Sequence, residues 1–362
     1  MNGTTPSPPK ILLTGATGYI GGTVLHHLLQ SDSESLRNAS ITCLVRGAAR
    51  IAKLNTEYGR RVNPVLFQDL DDTARIIDIA SQHDIAINTT LGYHPASAAA
   101  VVKGLAKRKQ ATGKEVYMIH TSGTSNLADQ PISKAYVEQD AERVFDDSKD
   151  DIYTYEKQRN EQTPYGQRTA ELGVIDAGKD LGVKTLVIMS PTIYGRGTGH
   201  FNTSSIQVPG YVKATLANGK TVVVGDGAGV WDNVHVEDLA ELYRLALLDI
   251  IDNSGGNLPF GEKGIVFSEN GRHTWSELAQ GVADAAVEAG KIGSKEVRSV
   301  SLEEGAKVLT GGDELLVELG FSSNSRTKGT VARERLGWKP KYGREAWQRG
   351  FGKEMEAAIR QG

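Results

Sequence analysis

One cysteine stands in 362 residues, so the chain can form neither an intrachain disulfide nor a cysteine-cluster metal site. Cys43 falls inside a predicted strand and reads as a buried core thiol. No apolar run approaches the length of a membrane span, and the opening MNGTTPSPPK carries no apolar signal region. Residues 1–9 read as a short disordered leader; the expected compartment is the cytoplasm, with no membrane partner. A formal net charge of −3 gives no electrostatic argument for nucleic acid or anionic lipid. There is no internal repeat. Without a signal peptide, Asn38-Ala39-Ser40 and Asn202-Thr203-Ser204 are coincidental matches to the glycosylation pattern. What remains is an ordinary globular composition, 39% hydrophobic and 23% charged, long enough to bury a substantial core.

The informative stretch is KILLTGATGYIGGTVLHHLL, beginning at Lys10. Ile11-Leu12-Leu13 has the length of a buried parallel strand, and after the glycines an amphipathic run reads as a helix. Strand, glycine-rich turn and helix follow in the order that a nucleotide pyrophosphate site requires. Gly15 permits the tight turn, Gly18 lets a phosphate approach the backbone, and Gly21 lets the helix pack on the strand. The helix start adds free N–H groups and a positive dipole end, so Thr17, Tyr19 and Ile20 join the glycines as expected cofactor-binding residues. A second strand over 41–45 ends at Arg46, where a βαβ unit places the residue that meets the adenosine ribose. A carboxylate there selects NAD, whereas a guanidinium pairs with a 2′-phosphate. Arg46, followed by Arg50 and Lys53, favours NADP(H) over NAD(H); the alternative is a solvated loop charge.

TGATGYIGG resembles the opening of the extended and atypical short-chain dehydrogenases/reductases, the NAD(P)-dependent epimerase/dehydratase-like proteins. Ser190-Pro191-Thr192-Ile193-Tyr194-Gly195 resembles that family's Arg-Pro-x-x-x-Tyr-Gly-Pro segment, which crosses over the nicotinamide. Trp231-Asp232-Asn233-Val234-His235-Val236-Glu237-Asp238 resembles its Arg-Asp-Phe-Val-His-Val-Asp-Asp signature, and Leu336-Gly337-Trp338-Lys339-Pro340 its closing segment. The resemblance implies an α/β fold: a doubly wound parallel sheet (Rossmann) over 10–190, then a smaller mixed α/β substrate-binding lobe over 191–362, some of whose segments return to the core. Further strands are expected at 62–67, 85–88, 116–120 and 185–189.

Carried onto this chain, the resemblance lays Asp69 and Leu70 along the adenine, although Asp69 also reads as a plain N-cap for a helix over 71–80. It places Thr89 and Thr90 near the pyrophosphate or nicotinamide-side ribose, and Pro191 and Ile193 beside the nicotinamide. Ser122 would polarise the substrate oxygen, though Ser-Gly-Thr is ordinary turn chemistry too. Tyr93, His94, Thr124, Tyr194, Phe201 and Asn202 are expected to face the substrate; His94 reads more commonly as a surface loop histidine. Gly195, Gly197 and Gly199 suggest a mobile loop. Residues 129–162, polar and charged, read as a mostly exposed insertion with a short helix near 137–145. His235 and Asp238 would lock the second lobe onto the core. A homodimer through the helices flanking the sheet is common in the family.

The family's chemistry depends on Tyr-x-x-x-Lys, in which the Tyr transfers a proton and the Lys lowers its pKa. Tyr153 and Lys157 have the literal spacing but sit in a charged segment read as a loop. Tyr165 has the better context, since Pro164 enters a helix and an Ala-rich face follows. Four residues after it, however, stands Thr169 rather than Lys, and Arg168 points about 100° away on a helix. The reading is an NADP(H)-dependent oxidoreductase for a small organic carbonyl or conjugated substrate, with Tyr165 and Ser122 catalytic and no metal. The alternatives are a sugar-nucleotide epimerase/dehydratase and a non-catalytic NADP-binding sensor. Trp231 replaces an arginine that often binds a diphosphate in the sugar-nucleotide enzymes, which counts against the first alternative.

Overall fold

The structure is a computed structural model that describes residues 8–140 and 142–361; residues 1–7 of the expected leader lie outside it. The first half alternates strands and helices. It runs β1 (Lys10–Thr14), α1 (Tyr19–Leu29), α2 (Glu34–Asn38), β2 (Ser40–Val45), α3 (Ala48–Tyr58) and β3 (Val62–Leu66). It continues with α4 (Thr73–Ala80), β4 (Ile85–Asn88), α5 (Pro95–Thr112), β5 (Tyr117–Gly123), β6 (Phe145–Asp146), α6 (Ile152–Gln162), α7 (Gly166–Leu181) and β7 (Lys184–Ser190).

The chain then crosses through β8 (Thr192–Tyr194) to α8 (Gln207–Asn218), β9 (Thr221–Val224), β10 (Val230–His235) and α9 (Val236–Asn253). After these come β11 (Ile265–Phe267), β12 (Gly271–Thr274), α10 (Trp275–Glu288), β13 (Val297–Val300) and α11 (Leu302–Leu309). The last elements are α12 (Glu314–Phe321), β14 (Thr327–Lys328), α13 (Thr330–Leu336) and α14 (Arg344–Gln361).

Seven strands form one parallel sheet in the order β11-β7-β5-β4-β1-β2-β3. The order reverses between β1 and β4, which opens a crevice at the strands' carboxyl ends. Side-chain alternation explains why the strands read as continuous apolar runs. Ile11, Leu13, Cys43, Ile87 and Ile119 face a cluster completed by Val24, Leu28, Leu239 and Tyr243 of α1 and α9. Leu12, Leu44, Ala86 and Met118 face the opposite cluster, with Ile76, Val101, Leu105 and Val174 of α4, α5 and α7. Both faces are covered, so both sets must be apolar. β11 comes from beyond α9 yet pairs with β7. The smaller lobe packs α8, α10, α12 and α14 around Trp275, which is fully buried and donates from its indole nitrogen to the Ser323 carbonyl at 2.8 Å.

The insertion departs from expectation. Among the described residues of 137–145 none is helical; instead β6 pairs in parallel with β14 and α6 covers Ile152–Gln162. Much of its charge is structural. Asp147 accepts from the backbone N–H groups of Phe267, Thr330 and Val331, and Asp129 accepts from Asn324. Asp151 caps α6 through Thr154. Acidic residues that bind backbone donors look like an exposed loop in sequence, because composition does not reveal where each carboxylate points.

Candidate active site

The glycine-rich turn is tight for identifiable reasons. Gly15 has φ +77°, and a Cβ there would lie 2.5 Å from the Thr89 carbonyl oxygen. A Cβ on Gly21 would lie 2.3 Å from both the Gly15 carbonyl oxygen and Thr89 Oγ1. Gly18 differs, because its Cβ would meet only the Gly15 carbonyl, at 3.1 Å. Helix α1 starts there with no side-chain cap and no acid in its first turn, leaving the N–H groups of Tyr19 and Ile20 without intrahelical acceptors. This open cradle of backbone donors suits a dinucleotide pyrophosphate.

Thr89 walls the turn, its hydroxyl donating to the Thr14 carbonyl at 2.7 Å. Thr90 and Thr14 both donate to Asn88 Oδ1, at 2.7 and 2.6 Å, and Asn88 Nδ2 lies 3.1 Å from His120 Nδ1. Burial lowers the His120 pKa to about 4, so this ladder across β1, β4 and β5 is neutral.

Where the adenosine end is expected, Arg46 is exposed just beyond β2, and α3 begins at Ala48 after the N-cap Gly47 with no acid in its first turn. Asp69 Oδ1 accepts from the backbone of Asp71 and Asp72, while Asp72 caps α4. The helix therefore starts at Thr73 rather than at 71, and the Asp69 carboxylate is engaged by its own turn. Leu70 packs against the α4 cluster.

Residues 195–204 form a strap over this turn rather than a mobile loop. The Tyr19 hydroxyl donates to the Gly195 carbonyl at 2.6 Å, and the Asn202 N–H donates to the Thr17 carbonyl at 3.4 Å. A Cβ on Gly197 would sit 2.9 Å from Thr23 Oγ1, and one on Gly199 would sit 2.8 Å from Gly22 Cα. The strap's glycines permit close contact. Phe201 lies under the Lys53 ammonium, 4.9 Å from the ring centre. Phe201 and Asn202, expected at the substrate, thus sit over the glycine-rich turn and α3.

Tyr165, the expected catalytic residue, precedes α7 and is 8% exposed. Its hydroxyl lies 3.2 Å from Ser125 Oγ, and Ser125 donates to Gln167 Oε1 at 3.4 Å. Ser122 is turned elsewhere: Asn126 Nδ2 donates to Ser122 Oγ at 3.2 Å and to Glu171 Oε2 at 2.8 Å. β5 runs on to Gly123, and a single helical turn over Thr124–Asn126 then swings Ser125 toward Tyr165. Sequence reading missed Ser125 because nothing in Ser-Gly-Thr-Ser marks where the strand stops.

The cation beside Tyr165 is Arg168, its guanidinium 5.7 Å from the phenol ring centre, and it lowers the Tyr165 pKa less than burial raises it. Thr169 is exposed and bonds Asn160. Arg168 is buried, and its guanidinium donates to the Asn126 and Thr163 carbonyls. Gln167 is the α7 side chain that faces the strand ends, since a Cβ on Gly123 would meet its Nε2 at 2.5 Å. Burial pushes the Tyr165 phenol well above its ordinary pKa, and Tyr93 adds to this. Tyr165 is therefore a neutral hydrogen-bond donor.

Among the residues expected at the substrate, Tyr93 lies edge-on to Tyr165, with ring centres 6.1 Å apart. His94 does not: Nδ1 accepts from Ser97 as the cap of α5, and Nε2 bonds Asp71. Tyr194 is buried and donates to the Tyr342 carbonyl. Thr124 is fully enclosed, and its carbonyl accepts from Ser325. Pro191 is buried between β7 and β8, and Ile193 packs on the α1–α9 cluster. Tyr153 and Lys157 do meet, at 2.8 Å, on α6. Their partner Asp176 lies roughly 15 Å along α7 from its start at 1.5 Å per residue, so they are remote from the crevice. His235 caps α9, and Asp238 accepts from the N–H groups of Lys341 and Tyr342. Trp231 points into the second lobe, donating to Ser323 Oγ at 2.9 Å. Among the described residues there is no helix long and apolar enough to cross a membrane and no metal-ligating cluster.

Comparison with known proteins agrees with the fold. The sequence profile described as "NAD dependent epimerase/dehydratase family" matches residues 11–256. The chain is 30% identical to the oxidase ucsJ of an Acremonium species over 347 residues, 91% of this chain and 92% of that one. An uncharacterised protein of Schizosaccharomyces pombe is 25% identical over 92% of this chain and 95% of its own length. Among solved structures, dTDP-glucose 4,6-dehydratase from Bacillus anthracis superposes with a TM-score of 0.62 at 14% identity, covering 97% of each chain. UDP-glucose 4-epimerase from Thermotoga maritima gives 0.59 at 17% identity, over 97% of this chain and 99% of that one.

Proposed function

The chain belongs to the NAD dependent epimerase/dehydratase family, and from that premise we propose that it is an NADP(H)-dependent oxidoreductase acting on a small organic carbonyl or conjugated substrate. The observation that carries this reading is the Tyr165 hydroxyl 3.2 Å from Ser125 Oγ, just past the carboxyl end of β5. The dinucleotide supplies the hydride chemistry when bound. The protein's own residues bind, orient and handle the proton. Gly15, Gly18, Gly21 and the first N–H groups of α1 hold the pyrophosphate, and Arg46 pairs with the 2′-phosphate beside the acid-free start of α3.

Tyr165 donates to the substrate oxygen as a neutral phenol when Ser125 turns its own O–H from Gln167 to the Tyr165 oxygen, which leaves the phenol proton free for the substrate. Ser125, rather than Ser122, is the serine that meets Tyr165. Burial outweighs the lowering by Arg168, so the resting phenol is protonated near neutrality, and the tyrosinate left when it gives its proton to the substrate oxygen is reprotonated from solvent. The position of Trp231 in the lobe core supports a substrate other than a nucleotide sugar.

The test is a fluorescence titration with NADPH, followed by NADPH oxidation against aldehydes, ketones, quinones and imines. Tight binding with no oxidation across the panel sinks the enzyme reading and leaves a binding protein. Tyr165→Phe should lower turnover by roughly 100-fold or more; unchanged turnover removes it from the proton step. Arg46→Ala should weaken NADPH by about tenfold or more, the contribution of a charged hydrogen bond, with NADH little affected. Equal losses for the two dinucleotides refute the 2′-phosphate assignment.

A further inference from the structure

The strap has a second side. Where one side lies on the glycine-rich turn, the other walls a cavity of about 740 Å³ shared with α8, α14 and the start of α9. That volume is within the range of small-molecule sites. Tyr165, Ser125 and Gln167 do not line it, so it is separate from the candidate active site.

Its charge is distinctive in a chain whose formal net charge is −3. Arg196, Lys213, Arg349, Lys353 and Arg360 line it, against Glu237, Glu354 and Glu356. Arg349 and Arg360 are paired with Glu345 and Glu356 on their own helix. Arg196, Lys213 and Lys353, from three different elements, form no hydrogen bond or ion pair among the described residues. Among the opposing acids, burial raises the Glu354 pKa while the Arg196 charge lowers it, and Glu237 lies in the first turn of α9, whose positive dipole end faces it. One wall is a flat stack of His235 on Tyr342, with ring centres 3.8 Å apart and an interplanar angle of 15°. Burial keeps His235 neutral, with a pKa lowered to about 4.

Arg196, Lys213 and Lys353 are exposed at a partly open cavity, and with Arg349 and Arg360 they outnumber its acids five to three, an excess of positive charge that favours a solvated anion. We propose that this cavity binds a small multivalent anion, bearing carboxylate or phosphate groups, and that its occupancy is coupled through residues 195–204 to dinucleotide binding. The coupling has a physical path. Gly195, Arg196, Thr203 and Ser204 line the cavity, while Gly195 accepts from the Tyr19 hydroxyl and Asn202 bonds Thr17. An anion that draws Arg196 inward moves the same short segment that roofs the pyrophosphate cradle, and linkage makes the effect reciprocal.

Calorimetric titration with citrate, and separately with inorganic phosphate, tests this on the full chain saturated with NADPH, so that the glycine-rich turn is already filled. A second series without NADPH keeps the result independent of cofactor preference. At least one anion should bind one-to-one, more weakly as salt rises. Lys213→Ala combined with Lys353→Ala should weaken it tenfold or more, while NADPH affinity without anion stays unchanged. Citrate alone binding identifies a polycarboxylate site, and phosphate alone a phosphate site. Saturating anion should shift the NADPH dissociation constant at least threefold. No binding of either anion, or binding untouched by the double variant, overturns the site. Binding that leaves NADPH affinity unchanged overturns the coupling.

Discussion

Gly21→Ala will cripple dinucleotide binding and destabilise the first sheet, whereas Gly18→Ala, three residues earlier, will damage binding alone. The contrast follows from what each new methyl group meets. At Gly21 it would lie 2.3 Å from a backbone carbonyl oxygen and 2.3 Å from Thr89 Oγ1, itself anchored to the Thr14 carbonyl. Neither neighbour is the free end of a flexible chain, so α1 must move off β1. Overpacking of this kind costs about 1–3 kcal/mol. Because the N–H groups of α1 move too, dinucleotide affinity should fall by roughly 100-fold, equivalent to about 3 kcal/mol. At Gly18 the only close neighbour is the Gly15 carbonyl at 3.1 Å; the fold should stay within about 1 kcal/mol of the parent, while the methyl group stands where the pyrophosphate must approach. Urea unfolding and NADPH titration of both variants check this. A Gly21→Ala protein with parent stability and parent affinity would falsify the cradle assignment.

The same turn shows why part of the site was legible in sequence. Gly15, Gly18 and Gly21 act through backbone geometry, and backbone geometry is set by local residues, so spacing sufficed to place them. Apolar runs such as Ile11-Leu12-Leu13 located the strands because a sheet covered on both faces needs every position apolar. The resemblance added the second lobe and the structural roles of His235 and Asp238, both of which close on the backbone.

What escaped was everything that depends on side-chain direction at an element's end. Ser122 and Ser125 are chemically identical, and only the stop of β5 at Gly123 decides which one meets Tyr165. His94 reads either as facing the substrate or, more commonly, as a surface loop histidine, and its two ring nitrogens engage Ser97 and Asp71. Gly197 and Gly199 suggested motion, because a glycine needed for close contact and one needed for freedom look the same in a string of letters. The insertion misled for a related reason. Tyr153, Glu156 and Arg159 lie on the buried side of α6, a charged helix whose inner face is polar, which hydrophobic periodicity cannot detect.

That polar inner face sets the second large effect. Glu156 and Glu171 are fully buried and face one another across α6 and α7. Neither forms an ion pair among the described residues; the nearby Arg168 donates to carbonyls. Burial raises both carboxyl pKa values, Glu171 to about 7, and mutual repulsion raises Glu156 further. Burial and mutual repulsion outweigh the lowering by Arg168, so the pair retains a proton in the folded state. The unfolded chain releases these protons near pH 4.3, so above that pH the folded state binds more of them and stability falls as pH rises. The slope is about 1.4 kcal/mol per pH unit for each extra proton. Asp147, raised to about 6, and Glu269, raised to about 7, act in the same sense. His120 and His273, buried and neutral, act oppositely below the unfolded histidine pKa near 6.5. Glu156→Gln isolates the pair: an amide of the same shape donates to Glu171, which no longer needs the shared proton. Relative to the parent, this variant should gain on the order of 3 kcal/mol between pH 5 and pH 8, read from urea midpoints across that range. Parent and variant curves that run parallel would show that no proton is held between the two carboxyls.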